Sequence, residues 1–326
     1  MRSKIQKFFY IFIFFMLFGN SAYALTNFSK STIVVLDERN NPIDGAYTGI
    51  TFETNTGYGT KVSTGEGLTN LEGKFTATGS CNGHISYGAK KEGYYDSYYV
   101  FDFKGKNSFG WEPWNPELKV ILRKIEKPIP MYARNTMQSK LEIPAVNQNV
   151  GFDLAAYDWV IPYGMGTHAD FVFNLQRLPT VSRQNYDATL TVTFSNKGDG
   201  IQIVRENLQY GSQYKLPRYA PENGYESKLV LHEEYAPEGP VKMNFAFRAE
   251  DLNYVFRIRS TEKEGKIESA MYGKTRGYIS FTAMESKTAK IYFTYYLNPD
   301  YTRNLEFDPK RNLFGNLPDL ERVTEP

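Results

Sequence analysis

Hydrophobic residues along this chain recur at every second position in short blocks, and clusters of Gly, Pro, Asn and Asp separate the blocks. In the first part of the chain such blocks cover residues 33–36, 47–54, 73–78, 84–89, 96–103 and 118–123. Asn40-Asn41-Pro42 followed by Asp44-Gly45 marks a tight turn between the first two. In the second part the same alternation covers 150–154, 170–175, 188–195, 201–204, 241–248, 254–260, 267–276, 278–283 and 289–297. Asn196-Lys197-Gly198-Asp199-Gly200 reads as a hairpin turn. No segment sustains apolar residues at i, i+3 and i+4 over four turns, so the pattern predicts an all-β protein. It consists of two antiparallel β-sandwich-like domains. The expected boundaries are 30–126 for the first sandwich, 127–136 for a linker carrying Pro128 and Pro130, 137–315 for the second β-rich domain, and 316–326 for a polar tail.

The first 24 residues break this pattern. Arg2, Lys4 and Lys7 precede an uncharged apolar run over 8–18, and Ser21-Ala22-Tyr23-Ala24 offers a small-x-small cleavage site. This is the layout of a signal peptide cleaved after Ala24, and it predicts a periplasmic or extracellular product. The apolar run would span only about 16 Å as a helix, half of a ~30 Å hydrocarbon core, so an integral membrane protein is not expected.

Composition then narrows the classes. With 41% hydrophobic and 16% aromatic residues, the 326-residue chain has the means to bury two cores. Removing residues 1–24 takes away three basic residues and no acid, which moves the formal net charge from +2 to −1. A nucleic-acid partner is therefore not expected. A single cysteine, Cys81, excludes a disulfide framework within the chain and reads as a buried small apolar residue.

The turn and strand residues of the first part form a recognisable series. V-x-D-x-x-x-x-P-I-x-G-A runs through Asp37, Pro42, Ile43, Gly45 and Ala46. T-x-x-x-G-K-F follows with Gly73, Lys74 and Phe75, then K-x-G-Y-Y with Gly93, Tyr94 and Tyr95, and a closing L-K-V-x-L-x-K. This resembles the carboxypeptidase-regulatory-like, transthyretin-like module, which implies a non-catalytic β-sandwich used for folding, spacing or binding. Residues 127–131, 150–173 and 295–309 extend the resemblance to a family of uncharacterised exported bacterial proteins with the same two-part layout, from which no activity carries over.

Candidate chemistry is sparse. There is no G-x-S-x-G elbow, no phosphate-binding loop and no H-E-x-x-H, and neither a metal site nor a cofactor is expected. His168 and Asp170, two apart on a strand, share one face beside Gly164 and Gly166. Asp153 and Asp158 flank Trp159, as carboxylates do in sugar sites. These four polar residues are the candidate catalytic set, with the alternative that each is a turn or hydrogen-bonded structural residue. Trp111 and Trp114 in a Pro/Gly-rich loop, with Trp159 and Tyr163, are the candidate ligand-binding aromatics, or else core caps. Arg257 and Arg259 alternate with apolar residues and read as the wet face of an outer strand. The leading expectation is an exported, non-catalytic binding or structural protein of the bacterial envelope, with a glycan or an envelope protein as partner. Its alternatives are a secreted hydrolase of glycans or peptides with its site in the second domain, and an accessory subunit of an envelope or secretion assembly.

Overall fold

The computed structural model describes residues 27–139, 141–177, 186–235, 249–284 and 287–326. The proposed signal peptide and the block at 241–248 lie outside the described residues. All regular structure among the described residues is β, and no helix there is long and apolar enough to cross a membrane.

The chain forms two compact units, residues up to 125 together with 209–214, and residues 126–208 together with 215–326. In the first unit the strands are β1 (Phe28–Leu36), β2 (Tyr47–Asn55), β3 (Thr60–Leu68), β4 (Lys74–Ser80) and β5 (His84–Lys90). These are followed by β6 (Tyr94–Tyr95), β7 (Ser97–Asp102), β8 (Gly105–Lys106), β9 (Trp111–Glu112), β10 (Glu117–Ile121) and β11 (Arg123–Lys124). The second unit begins with β12 (Ile129–Asn135), β13 (Asn149–Asp153), β14 (Asp158–Trp159), β15 (Phe171–Arg177), β16 (Tyr186–Thr193) and β17 (Gly200–Arg205). After β18 (Gly211–Ser212), which belongs to the first unit, the second continues with β19 (Lys228–Tyr235), β20 (Leu252–Lys263), β21 (Lys266–Thr275) and β22 (Ser280–Thr282). It ends with β23 (Lys290–Tyr292), β24 (Thr294–Asn298) and β25 (Phe307–Asn312).

The first unit is a sandwich of a five-stranded sheet, β18-β7-β5-β2-β3, and a three-stranded sheet, β10-β1-β4. Period-two alternation places Ile33 and Val35, Ile50 and Phe52, Ile85, Leu118 and Val120 in one core, with Cys81 fully buried among them. β1 and β10 pair in parallel, the one departure here from an antiparallel plan among the long strands. The residues carrying the family resemblance are turn and core residues. The Asp37 carboxylate accepts hydrogen bonds from the backbone N–H of Arg39 and of Asn41, and Ile43 is buried. Gly73 sits at φ +72°, and a Cβ there would lie 2.5 Å from the Val35 carbonyl oxygen. Only glycine fits that turn.

The second unit packs a six-stranded sheet, β17-β20-β21-β24-β12-β25, with a five-stranded one, β14-β13-β15-β16-β19. Its core is strongly aromatic, with Phe152, Phe171, Phe173, Phe256, Phe293 and Tyr295 in contact through edge-on and tilted rings.

Two boundary expectations are corrected. Residues 127–136 are not a linker, because β12 lies between β24 and β25 and buries Ile129, Met131 and Ala133. Its prolines precede Tyr132, where the ladder to β24 begins, so neither removes a bond from that ladder. Residues 316–326 are not a free polar tail. Val323 is buried with Met131, Ala133, Tyr296 and Phe307, and the Asn135 N–H donates to the Glu321 carbonyl. Arg134 lies over the Tyr157 ring, 3.5 Å from its centroid, and donates to the Glu321 carboxylate.

Deleting residues 316–326 is therefore expected to lower stability by about 2–4 kcal/mol, from lost apolar burial and a half-buried guanidinium left without its carboxylate. Urea unfolding of the deletion variant checks this, and an unchanged midpoint would show that the segment contributes nothing.

Candidate functional site

The predicted polar residues of the second unit meet at one end of its five-stranded sheet. Asp153 closes β13, Asp158 opens β14 directly opposite it, and Asp170 immediately precedes β15. The residue that joins them comes from the other sheet. Arg259 lies in β20 at φ +52°, where the register with β21 shifts between Ile258 and Thr261. This bulge turns the side chain out of the normal alternation. The Asp199 carboxylate accepts from the N–H groups of Arg259 and Ser260 at 3.2 and 2.8 Å, which fixes the bulge.

From that position Arg259 grips both acids. Its Nε donates to Asp170 Oδ1 at 2.7 Å, and its Nη2 donates to Asp170 Oδ2 at 2.8 Å and to Asp153 Oδ1 at 2.9 Å. The Asp153 side chain is 3% exposed and that of Asp170 is fully enclosed. Asp153 Oδ1 also accepts from the N–H groups of Ala155 and Ala156, and its Oδ2 from those of Thr167 and His168. Asp170 Oδ2 further accepts from the Leu154 N–H, and the Leu154 carbonyl accepts from the buried Tyr295 hydroxyl at 2.6 Å.

Burial raises the Asp153 carboxyl, but the N–H groups of Ala156, Thr167 and His168 together with Arg259 outweigh it and hold it below the ordinary value. For Asp170 burial is the larger effect, and it holds that carboxyl above the ordinary value in spite of the Arg259 hydrogen bonds. Burial pushes the Tyr295 phenol well up. The guanidinium, itself penalised by burial, is raised by both carboxylates.

Of the four predicted catalytic residues, the structure thus brings Asp153, His168 and Asp170 together. Asp158, although paired opposite Asp153, takes no part in the Arg259 cluster. Its oxygens accept from the Trp159 and Met165 N–H groups and fasten the 159–165 turn. A Cβ at Gly164 would lie 2.4 Å from Asp158 Oδ1, so that glycine makes room for the turn. The His168 imidazole is largely exposed, with Nδ1 at 2.8 Å from the Thr167 hydroxyl and 3.7 Å from Asp153 Oδ2. Backbone N–H groups and a guanidinium occupy both carboxylates, so the arrangement ties two sheets together and encloses both acids, while the His168 imidazole is the exposed group of the cluster. No group of three His, Cys, Asp or Glu residues among the described residues could hold a metal ion.

The aromatic candidates divide. Trp159 is buried and packs edge-on against Phe152 and Phe173, a core residue and not a ligand platform. Trp111 donates its indole N–H to the Cys81 carbonyl at 2.9 Å and packs on Phe103, which makes it a cap on the first core. Trp114, 48% exposed, and Phe109, 79% exposed, remain on the surface. Tyr163 is also on the surface, and its hydroxyl accepts from the Gln148 amide at 2.6 Å.

Arg259 is the residue that sequence reasoning missed, and the wet-face reading of β20 is corrected. Arg257 is buried over the Tyr225 ring and donates to the carbonyls of Gly198 and Glu222. The outer side of β20 is covered by Ala220, Tyr225 and Leu305, from segments with no alternation of their own. The one available signal was the turn Gly198-Asp199-Gly200, whose aspartate fixes the bulge.

No protein-family model matches the chain, and no curated protein sequence matches it. Among solved structures it is similar to 3-chlorocatechol 1,2-dioxygenase from Rhodococcus opacus, at 12% identity and a TM-score of 0.25, over 31% of this chain and 61% of that one. It is also similar to catechol 1,2-dioxygenase from Acinetobacter radioresistens, at 14% and 0.26, over 33% and 55%. A third similarity is to BcpA, the major pilin subunit of Bacillus cereus, at 10% and 0.24, over 82% and 68%. The chain spans less than two thirds of the length of these two dioxygenases. These are similarities of β fold and carry no functional argument.

The two acids shift in opposite directions, and their contributions to stability follow pH in opposite senses. Asp153, lowered in the folded state, contributes stability above the ordinary carboxylate range that is lost as pH falls through its own value. Asp170, raised, contributes in the opposite sense and loses its contribution as pH rises through its value. Asp153→Asn is therefore expected to cost about 3–5 kcal/mol at pH 7, and Asp170→Asn less. The penalty of Asp153→Asn shrinks towards pH 3. Chemical unfolding of both variants from pH 3 to 8 checks the order, and a larger penalty for Asp170→Asn would contradict it.

Proposed function

We propose that the protein is an exported, non-catalytic binding or structural component of the bacterial cell envelope. The observation that carries this reading is the occupancy of Asp153 and Asp170. The acids best placed for hydrolysis are committed to Arg259 and to backbone N–H groups. A two-sandwich scaffold with small charge and exposed aromatic side chains on loops, such as Phe109, Trp114 and Tyr163, fits a role in contact and display. The expected partner is a glycan or a protein of the envelope, met after export through the N-terminal signal.

The test pairs localisation with activity. Fractionation of the producing cell is expected to recover a chain beginning at residue 25 outside the cytoplasm. The purified chain is expected to leave glycan and peptide substrate panels uncleaved. Turnover that disappears in Asp170→Asn, with the variant still folded, would overturn the non-catalytic reading in favour of a hydrolase.

A further inference from the structure

An open groove of about 590 Å³ lies in the first unit, at the end of β5 where the chain turns into β6. Its size falls within the ~300–1,000 Å³ range of small-molecule sites. One wall is Tyr47, 39% exposed, whose hydroxyl donates to the Glu66 carboxylate, so the ring is held in place. The ammonium of Lys90 lies 5.0 Å from the Tyr47 ring centroid. Tyr94, half-buried against the first core, also lines the groove and is paired through β6 with Lys124 of β11. Neighbouring Tyr95 stacks on Tyr214 at 5.1 Å, and that ring is covered by Arg123. The Tyr47 ring is therefore held before any ligand arrives, and the backbone beneath Tyr94 is anchored through its neighbour.

The floor is small. Gly45 and Gly93 take φ +61° and +80°, and a Cβ at Gly93 would meet nothing within 4 Å, so free space opens above it. Lys91 bonds back to the Asp44 carbonyl, which leaves its other N–H donors available. Glu92 and Asp96 also line the groove, and both are exposed. The residues around the groove thus bring two lysines and two acids, whose charges cancel, together with two tyrosines.

We propose that this groove binds a neutral oligosaccharide, a ligand class that rests on the reading of the chain as a non-catalytic envelope binding protein. The pyranose C–H face meets the tyrosine rings, hydroxyls donate to Glu92 and Asp96, and ring and hydroxyl oxygens accept from Lys90 and Lys91. A polyanion fits less well, because Glu92 and Asp96 would oppose it.

Titration of the full chain with cello-, chito-, malto- and mannotetraose, followed by calorimetry and amide chemical shifts, tests this. Saturable binding to at least one is expected, with shifts centred on residues 45–47 and 90–96. Tyr47→Ala and the double variant Glu92→Ala/Asp96→Ala, all exposed positions, are each expected to weaken it tenfold or more. Absence of binding to all four, binding untouched by both variants, or preference for an oligogalacturonate that salt abolishes would overturn the site. Cleavage of a bound sugar would instead overturn the non-catalytic reading while leaving the site in place.

Discussion

The second unit depends on one guanidinium. Two carboxylates buried at a sheet end are tolerated only if their charge is offset and their oxygens are bonded; Arg259, from the opposite sheet, shares one positive charge between them, and backbone N–H groups bond the oxygens further. The reach of this side chain follows from the backbone beneath it. A left-handed residue in mid-strand is costly for arginine, and the Asp199 carboxylate offsets that cost by capping the N–H groups of residues 259 and 260. Asp199 in turn needs the turn at Gly198, where a Cβ would lie 2.6 Å from the Ile267 side chain. A turn, a bulge, an arginine and two aspartates thus form one connected device, and the aromatic core around Phe171 and Tyr295 lies between the sheets it joins.

The same chain of contacts explains why the cluster resembles an active site in sequence without the freedom of one. A histidine two residues from an aspartate, next to glycines and a tryptophan, has the composition of a hydrolase cleft. The geometry assigns these residues differently. The glycines admit a tight turn, the tryptophan fills the core, and the acids serve as acceptors for loops that would otherwise have unsatisfied N–H groups. His168 stays at the surface, hydrogen-bonded to its neighbour Thr167.

Period-two alternation made the all-β class and most strand positions legible, because each half-buried strand writes its own burial into the sequence. The expectation that His168 and Asp170 share one face of a strand is corrected, because both precede β15 and Asp170 is enclosed at Arg259 while His168 stays exposed. Three features were not legible. β12 reads as a linker because Pro128 and Pro130 dominate its start, whereas Met131 and Ala133 decide its burial through pairing with β24, about 160 residues away. The end segment reads as polar because its anchors are single residues, Glu321 and Val323, without periodicity. Arg259 reads as exposed because alternation assumes a regular strand, and the bulge that reverses it depends on Asp199, 60 residues away.

The central claim is that Arg259 and its two aspartates are a structural lock between sheets. The measurement that tests it most directly is a double-mutant cycle on unfolding free energy, using Arg259→Leu, Asp153→Asn and the combined variant. The account predicts that the two single substitutions are strongly non-additive, with a coupling of about 2 kcal/mol or more. A coupling within about 0.5 kcal/mol of zero, with both single variants near wild-type stability, would contradict it and would free Asp153 for chemistry.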